Sequence, residues 1–129
     1  MNKRELARRA HTSVLHMANK EEKRKLKTLC KKTPGLMCHS GLAQTVVFLR
    51  SRDRPNRDEE HGTIYLEQLI RVMAREDIKS IDQLQKRALE VGVVEYIALT
   101  SDAQRAAEWL RRFAQIEMVD IEEEDDRDE

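Results

Sequence analysis

The sequence predicts an all-α protein, a compact single-domain bundle of about six helices followed by a disordered acidic tail. Composition supports this fold class. Aromatic residues are 4% of the chain, with only 4 Gly and 2 Pro, whereas strands and hairpins need aromatic or β-branched alternation and frequent turn residues. Charged residues reach 37%, as expected for a bundle with polar helix faces. A chain of 129 residues suits one hydrophobic core but not two.

Apolar side chains recur every three to four residues along most of the chain, which is the helical period. Leu6, Ala10 and Val14 mark the buried face of the first helix. Thr33-Pro34 is typical of a cap followed by Pro at the first helical position, so it separates the second helix from the third. Gly41 either bends the third helix or lets another backbone come close. The first four helices are predicted over about residues 2–18, 20–32, 34–52 and 63–75.

Two capping patterns predict where the last two helices begin. Ser80 is followed three residues later by Gln83, a capping box that predicts a fifth helix over about residues 80–99. Thr100-Ser101-Asp102, with Gln104 three residues after Ser101, predicts the start of the sixth helix.

The charges are divided unevenly along the chain, although the formal net charge is zero. Residues 1–57 carry +11 and residues 58–129 carry −11, which favours nucleic acid on one side or charge-driven stacking of protein on protein. Eight of the ten residues from Asp120 to Glu129 are acidic, and such a run repels itself and has nothing to bury. We therefore predict a helical domain over residues 1–119 and a disordered acidic tail over residues 120–129.

Cations of the second predicted helix fall within about 100° of one another, because each helical residue advances by about 100°. This spacing suits contact with successive phosphates, a sequence-independent and salt-sensitive interaction. The alternative is a solvated face that pairs with the acidic half of a neighbouring copy. We predict that this basic stripe binds RNA and consists of Lys20, Lys23, Arg24, Lys27 and Lys31.

The sequence carries no pattern that indicates catalysis, a metal site or a cofactor. It has no GxSxG, no Gly-rich phosphate loop and no carboxylate pair with a nearby His. Cys30, Cys38 and His39 lack metal-site spacing, and two intracellular cysteines are expected to be free and reduced. There is no apolar run of about 18 residues and no signal-peptide core. We expect a cytoplasmic protein that is not an enzyme.

A helix-turn-helix DNA-binding motif is the structural alternative for residues 25–48. Its second helix is apolar from Leu42 to Leu49, offers little to base edges and is expected to be core. Recognition by base stacking is also poorly supported, because the few aromatic residues lie on apolar faces. Trp109 and Phe113 are accordingly predicted to be core anchors.

Two short segments resemble a known protein family. They are Gly41-Leu42-Ala43-Gln44-Thr45-Val46-Val47-Phe48 and Trp109-Leu110-Arg111-Arg112-Phe113-Ala114, with Thr100 nine residues upstream of the second and Tyr65 on the helix between them. Together they resemble the small α-helical subunit, subunit five, of the type III-B CRISPR (Cmr) effector complex. The resemblance spans about residues 1–118. The small subunit of type III-A complexes has a similar helical build.

The resemblance implies a non-catalytic structural role in antiviral defence. Family members form the minor filament and contact neighbouring copies, the backbone subunits that carry the guide RNA, and the large polymerase-like subunit. They hold the guide–target duplex through its backbone, while target cleavage belongs to the backbone subunit. The alternatives are a helical protein–protein adaptor without nucleic-acid contact, or the small subunit of a type III-A complex.

Overall fold

The computed structural model describes residues 2–53 and 60–123, and in these ranges it confirms the all-α fold. The described residues form five helices and no strand, against the six or so predicted. The helices are α1 (Lys3–Ala18), α2 (Lys23–Ser51), α3 (His61–Met73), α4 (Ile81–Glu90) and α5 (Val93–Glu117). Residues 124–129 of the predicted tail lie outside the described ranges, so the disorder of the tail stays a prediction.

The second and third predicted helices form one element, α2, and its break lies at Gly41 rather than at Thr33-Pro34. Pro34 lies inside the helix, and both it and Thr33 are buried. A proline inside a helix removes one backbone hydrogen bond, and here the packing of α2 against the core overrides that local signal. The chain leaves helical geometry instead at Gly41, where φ is 85° and ψ is 165°. The predicted boundary at residue 33 was therefore wrong.

Gly41 bends α2, which was one of its two predicted roles. Its φ lies in the left-handed region, which a residue with a Cβ rarely adopts. A Cβ at this position would also lie 3.2 Å from Oη of Tyr96 in α5. The Tyr96 hydroxyl accepts a hydrogen bond from the backbone N–H of Ala43 at 3.1 Å, just beyond the bend. The kink thus fixes how α5 crosses the second half of α2.

The start of α4 agrees with the predicted cap. Ser80 Oγ accepts a hydrogen bond from the backbone N–H of Gln83 at 3.1 Å, and Gln83 Oε1 accepts one from the N–H of Lys79 at 2.6 Å. The helix ends at Glu90, well before the predicted residue 99.

The break between the last two helices lies at Val91 and Gly92, both in extended conformation. Thr100 and Asp102 lie inside α5 and do not cap a helix. Asp102 instead accepts hydrogen bonds from Arg75 at 2.6 Å and from Arg105 at 2.9 Å. The predicted cap was wrong because the Asp102 carboxylate serves a tertiary contact to the loop after α3.

The core lies between the long helices, and α3 contributes its largest fully buried side chain, Tyr65. Cys30 is buried beside it and Cys38 is exposed, and both cysteines are free. Burial raises the pKa of the Cys30 thiol to about 12 and raises the pKa of the Tyr65 hydroxyl well above its usual range. Both groups are therefore neutral in the folded protein at physiological pH.

Trp109 and Phe113 pack against the core but are only partly buried. Their rings stack at a centroid distance of 5.6 Å with an interplanar angle of 24°, and the guanidinium of Arg112 lies 5.6 Å from the Trp109 ring centroid. The prediction of core anchors holds for their packing, whereas full burial belongs to Leu110 on the same helix.

Helices α2 and α3 approach closely at Gly62. A Cβ on this residue would lie only 2.1 Å from the backbone carbonyl oxygen of Leu49. Asp53 caps α3 from the end of α2, because its carboxylate accepts hydrogen bonds from the N–H groups of Gly62 at 2.8 Å and Thr63 at 2.9 Å. The first N–H groups of a helix have no partner within it, so this cap ties the start of α3 to the end of α2.

Candidate nucleic-acid interface

The basic stripe lies on the first half of α2 and on the turn that precedes it. Since α2 begins at Lys23, Lys20 lies in that turn and not in a helix as predicted. The backbone N–H of Lys20 donates to the carbonyl of Met17 at 3.1 Å, and that of Lys23 donates to the carbonyl of Lys20 at 3.2 Å. Glu22, at the start of α2, makes no side-chain capping bond.

The other four members of the stripe share one edge of α2. Residues 23, 24, 27 and 31 project within about 100° of one another on an ideal helix. Lys23, Arg24 and Lys31 are exposed, while Lys27 is half-buried. The side of α2 that faces the core in this region carries the buried residues Leu26, Leu29 and Cys30. These four members of the stripe are therefore held on a well-packed helix, and Lys20 alone lies in the preceding turn.

The beginning of the acidic tail lies along the same edge. Lys27 Nζ donates a hydrogen bond to the backbone carbonyl of Ile121 at 2.7 Å. Lys31 Nζ lies 3.2 Å from Oε1 of Glu123. Arg24 donates to the backbone carbonyl of Glu122 at 3.4 Å and lies 3.8 Å from its carboxylate. A ligand that binds these three cations must therefore compete with the chain's own carboxyl-terminal segment.

A second cationic surface, which we did not predict from the sequence, lies between α1 and α3. It is a cleft of about 560 Å³ whose lining includes Arg8, Arg9, His16, Arg71 and the buried Gln68. Part of its charge is already used, because Glu5 forms ion pairs with both Arg8 and Arg9. Residues 9 and 71 are far apart in sequence, so only the packing of α1 on α3 brings them together.

Exposed apolar side chains cluster at the two ends of α5, a feature that sequence reasoning also missed. Near its start, Val93, Val94 and Ile97 are 76%, 83% and 62% exposed. Leu89, four residues before Val93 and near the end of α4, is also exposed. The available signal was the Gly92 break, which makes residues 93–97 the first turn of a helix and not the middle of one.

The other end of α5 carries Ile116 and, just after the helix, Val119, which are 64% and 67% exposed. Leu15 of α1 is also exposed there. It lies one turn after His11, whose ring contacts Glu117 at 2.9 Å. Contiguous exposed apolar surface is a common feature of interaction sites, whereas single exposed apolar side chains are normal.

Within residues 2–53 and 60–123, no group of three or more His, Cys, Asp and Glu residues is placed to hold a metal ion. None of the helices in these ranges has the length and apolar character needed to cross a membrane.

These features define a small all-helical protein whose distinctive groups, a cationic helix edge and two apolar ends, all lie on its exterior. The family model of CRISPR-associated protein Cas_Cmr5 matches residues 2–117. The CRISPR system Cmr subunit Cmr5 of Thermus thermophilus is 30% identical over 109 residues, which cover 84% of this chain and 89% of the relative.

The fold agrees with that relationship. The crystal structure of a CRISPR-associated Cmr5 family protein from Thermus thermophilus superposes with a TM-score of 0.78 at 27% identity. The alignment covers 90% of this chain and 97% of the crystallised one. The chain belongs to the Cmr5 family, which confirms the resemblance carried by the Gly41–Phe48 and Trp109–Ala114 segments.

Proposed function

We propose that this protein is a non-catalytic structural subunit of a type III-B CRISPR ribonucleoprotein complex that silences RNA in antiviral defence. In that complex it forms the minor filament beside the backbone subunits and the large polymerase-like subunit. Its basic stripe holds the backbone of the guide–target RNA. The observation that carries this proposal is the cationic edge of α2 on the outside of a Cmr5-family bundle. Target cleavage belongs to another subunit.

The chemistry of the stripe suits a sugar–phosphate backbone. Lys and Arg side chains form charge-assisted hydrogen bonds with phosphate oxygens. Because each phosphate carries the same charge, such contacts do not depend on base sequence. Lys20 and Lys23 form no ion pair with a described residue and are open to a first phosphate contact. When residues 121–123 leave the stripe, Lys27 and Lys31 are released and Arg24 loses its contacts with Glu122.

The binding of a generic single-stranded RNA by the purified protein tests the RNA-contact part of this proposal. Affinity should fall steeply with salt. If three to five phosphates are neutralised, the slope of log K against log salt concentration is about −2 to −3.5. Electrophoretic mobility measured from low to moderate salt gives the slope. A protein that binds no RNA at low salt would be the protein–protein adaptor that forms the alternative interpretation. Two observations favour that alternative, the occupied stripe and the exposed apolar ends of α5.

Copies of the protein are proposed to stack head to tail through the two ends of α5. A helix of this length separates its ends by about 37 Å, so one copy can bind two neighbours at once. Contacts between different surfaces of identical chains generate open filaments or rings. Stacking would cover Val93, Val94 and Ile97 of one copy with the Ile116 and Val119 end of the next.

Replacing Val94 and Ile97 by Asp should abolish this self-association. A carboxylate buried in an apolar contact is strongly disfavoured, whereas on the free surface it is harmless. In sedimentation velocity at high protein concentration, the unmodified protein should show concentration-dependent oligomers and the variant a monomer. Val47→Asp, at an exposed apolar position on α2, is the matched control and should behave like the unmodified protein. Equal sedimentation of all three proteins contradicts the proposed stacking surface.

A further inference from the structure

We infer that the acidic segment after α5, residues 121–123, is a built-in competitor for the basic stripe. An RNA backbone must displace this segment before it binds along α2. This inference rests on the proposed RNA contact of the stripe and adds regulation to it. The segment occupies the stripe of an isolated copy. Multivalent RNA in an assembly displaces it readily, whereas RNA on one isolated copy binds more weakly because it must compete with the segment.

The segment is positioned by apolar packing as well as by charge. Met118, at the end of α5, is completely buried. Ile121 packs against the core, and its backbone N–H donates to the carbonyl of Met118 at 3.0 Å. These two contacts direct residues 121–123 over the first half of α2. The carboxylates therefore meet the stripe at a position set by the fold of the protein.

The contacts use the groups that RNA phosphates would need. Glu123 pairs with Lys31, Glu122 pairs with Arg24, and the Ile121 carbonyl accepts from the ammonium of Lys27. A carboxylate and a phosphate are both oxygen anions, so the two cannot bind one cation with full strength at once.

The contacts between the segment and the stripe are weak enough for the segment to bind reversibly. The packing of Met118 and Ile121 holds the segment beside the stripe, so its local concentration there is on the order of millimolar or higher. Each exposed ion pair contributes little and is screened by salt, because the Debye length is about 8 Å at physiological ionic strength. The Glu122 side chain is 85% exposed even while it contacts Arg24. An RNA that makes several phosphate contacts can therefore displace the segment.

The test compares the unmodified protein with two variants of the full chain, each of which replaces two glutamates by neutral glutamines and so raises the net charge by two. Glu122→Gln with Glu123→Gln removes the carboxylates that contact the stripe and keeps Ile121 and its packing. We expect it to bind a 20-nucleotide polyuridine about three- to tenfold more tightly at low salt, since two exposed ion pairs no longer oppose binding. The gain should vanish at high salt. Glu67→Gln with Glu76→Gln removes two exposed carboxylates elsewhere and should change the affinity less than twofold.

A second background separates this inference from the proposed function. Lys27→Glu with Lys31→Glu should weaken polyuridine binding, and in that background the Gln substitutions at residues 122 and 123 should add less than in the unmodified chain, because only the contact of Arg24 with Glu122 remains to be removed. If reversal of the two lysines weakens binding but the tail variant gains no more than its control, the competition is refuted and the RNA contact stands. If reversal of the lysines leaves RNA affinity unchanged, the RNA contact of the stripe is refuted, and the competition falls with it.

Discussion

Replacing Lys23, Lys27 and Lys31 together by Glu is expected to weaken RNA binding by tenfold or more at low salt, equally for all RNA sequences. Each lost phosphate contact removes about 0.7 from the salt slope on a single strand, so the slope should flatten by about 2. Titrations of two unrelated RNA sequences at several salt concentrations measure both quantities. The same variant should retain less RNA when incorporated into the reconstituted complex.

The matched control reverses three exposed lysines away from the stripe, Lys3, Lys79 and Lys86. It changes the net charge by the same amount, so any difference between the two variants reports position. Both should unfold within a few degrees of the unmodified protein, because exposed ion pairs contribute little to stability. Equal RNA retention by the two triple variants would make the stripe a protein interface, as the adaptor alternative requires.

Gly62→Ala should lower the free energy of unfolding by about 3 kcal/mol, the cost of forcing an extra group into a packed contact. The added Cβ would lie 2.1 Å from the carbonyl oxygen of Leu49, which is backbone and cannot rotate away. To admit it, α3 must move from the end of α2 and weaken the Asp53 cap on Gly62 and Thr63. Urea unfolding followed by circular dichroism measures the loss.

Gly35→Ala is the control for the Gly62 substitution. Gly35 lies inside α2, and a Cβ there meets no atom within 4 Å. Because Ala is the better helix former, this variant should gain about 1 kcal/mol. Opposite signs for the two substitutions would show that backbone approach and not helix propensity decides the outcome at residue 62. A stability loss below about 1 kcal/mol for Gly62→Ala contradicts the close contact of α2 and α3.

Signals that act within one helix turn allowed part of the fold to be predicted. The start of α4 is correct because Ser80 Oγ accepts the predicted hydrogen bond from the N–H of Gln83, although the Gln83 side chain accepts from Lys79 and not from Ser80. The bend at Gly41 is correct because few other residues accept a φ of 85°. Local signals failed where a distant partner was stronger. Pro34 is held inside α2 by core packing, and Asp102 pairs with Arg75 instead of capping a helix.

The candidate interface shows the same division. Four of the five predicted cations share one edge of α2, because their spacing alone sets their angles. Lys20 was predicted to lie in the second helix, but it lies in the turn before α2. The first residue of α2 depends on the length of that turn, which the helical period does not set. The cleft between α1 and α3 and the apolar ends of α5 depend on which helices meet and where α5 begins.

The sequence by itself determined the helical class, the basic stripe and the Cmr5 resemblance, because each depends on residues that are close in the chain. Only the tertiary structure decided that residues 121–123 lie on the stripe. Lys31 and Glu123 are separated by 92 positions in the chain. Their contact depends on how α5 crosses α2 and on the burial of Met118, which fixes where the chain leaves α5. Helical periodicity does not predict which residues of two distant helices come into contact, because the packing of whole helices against one another sets those contacts.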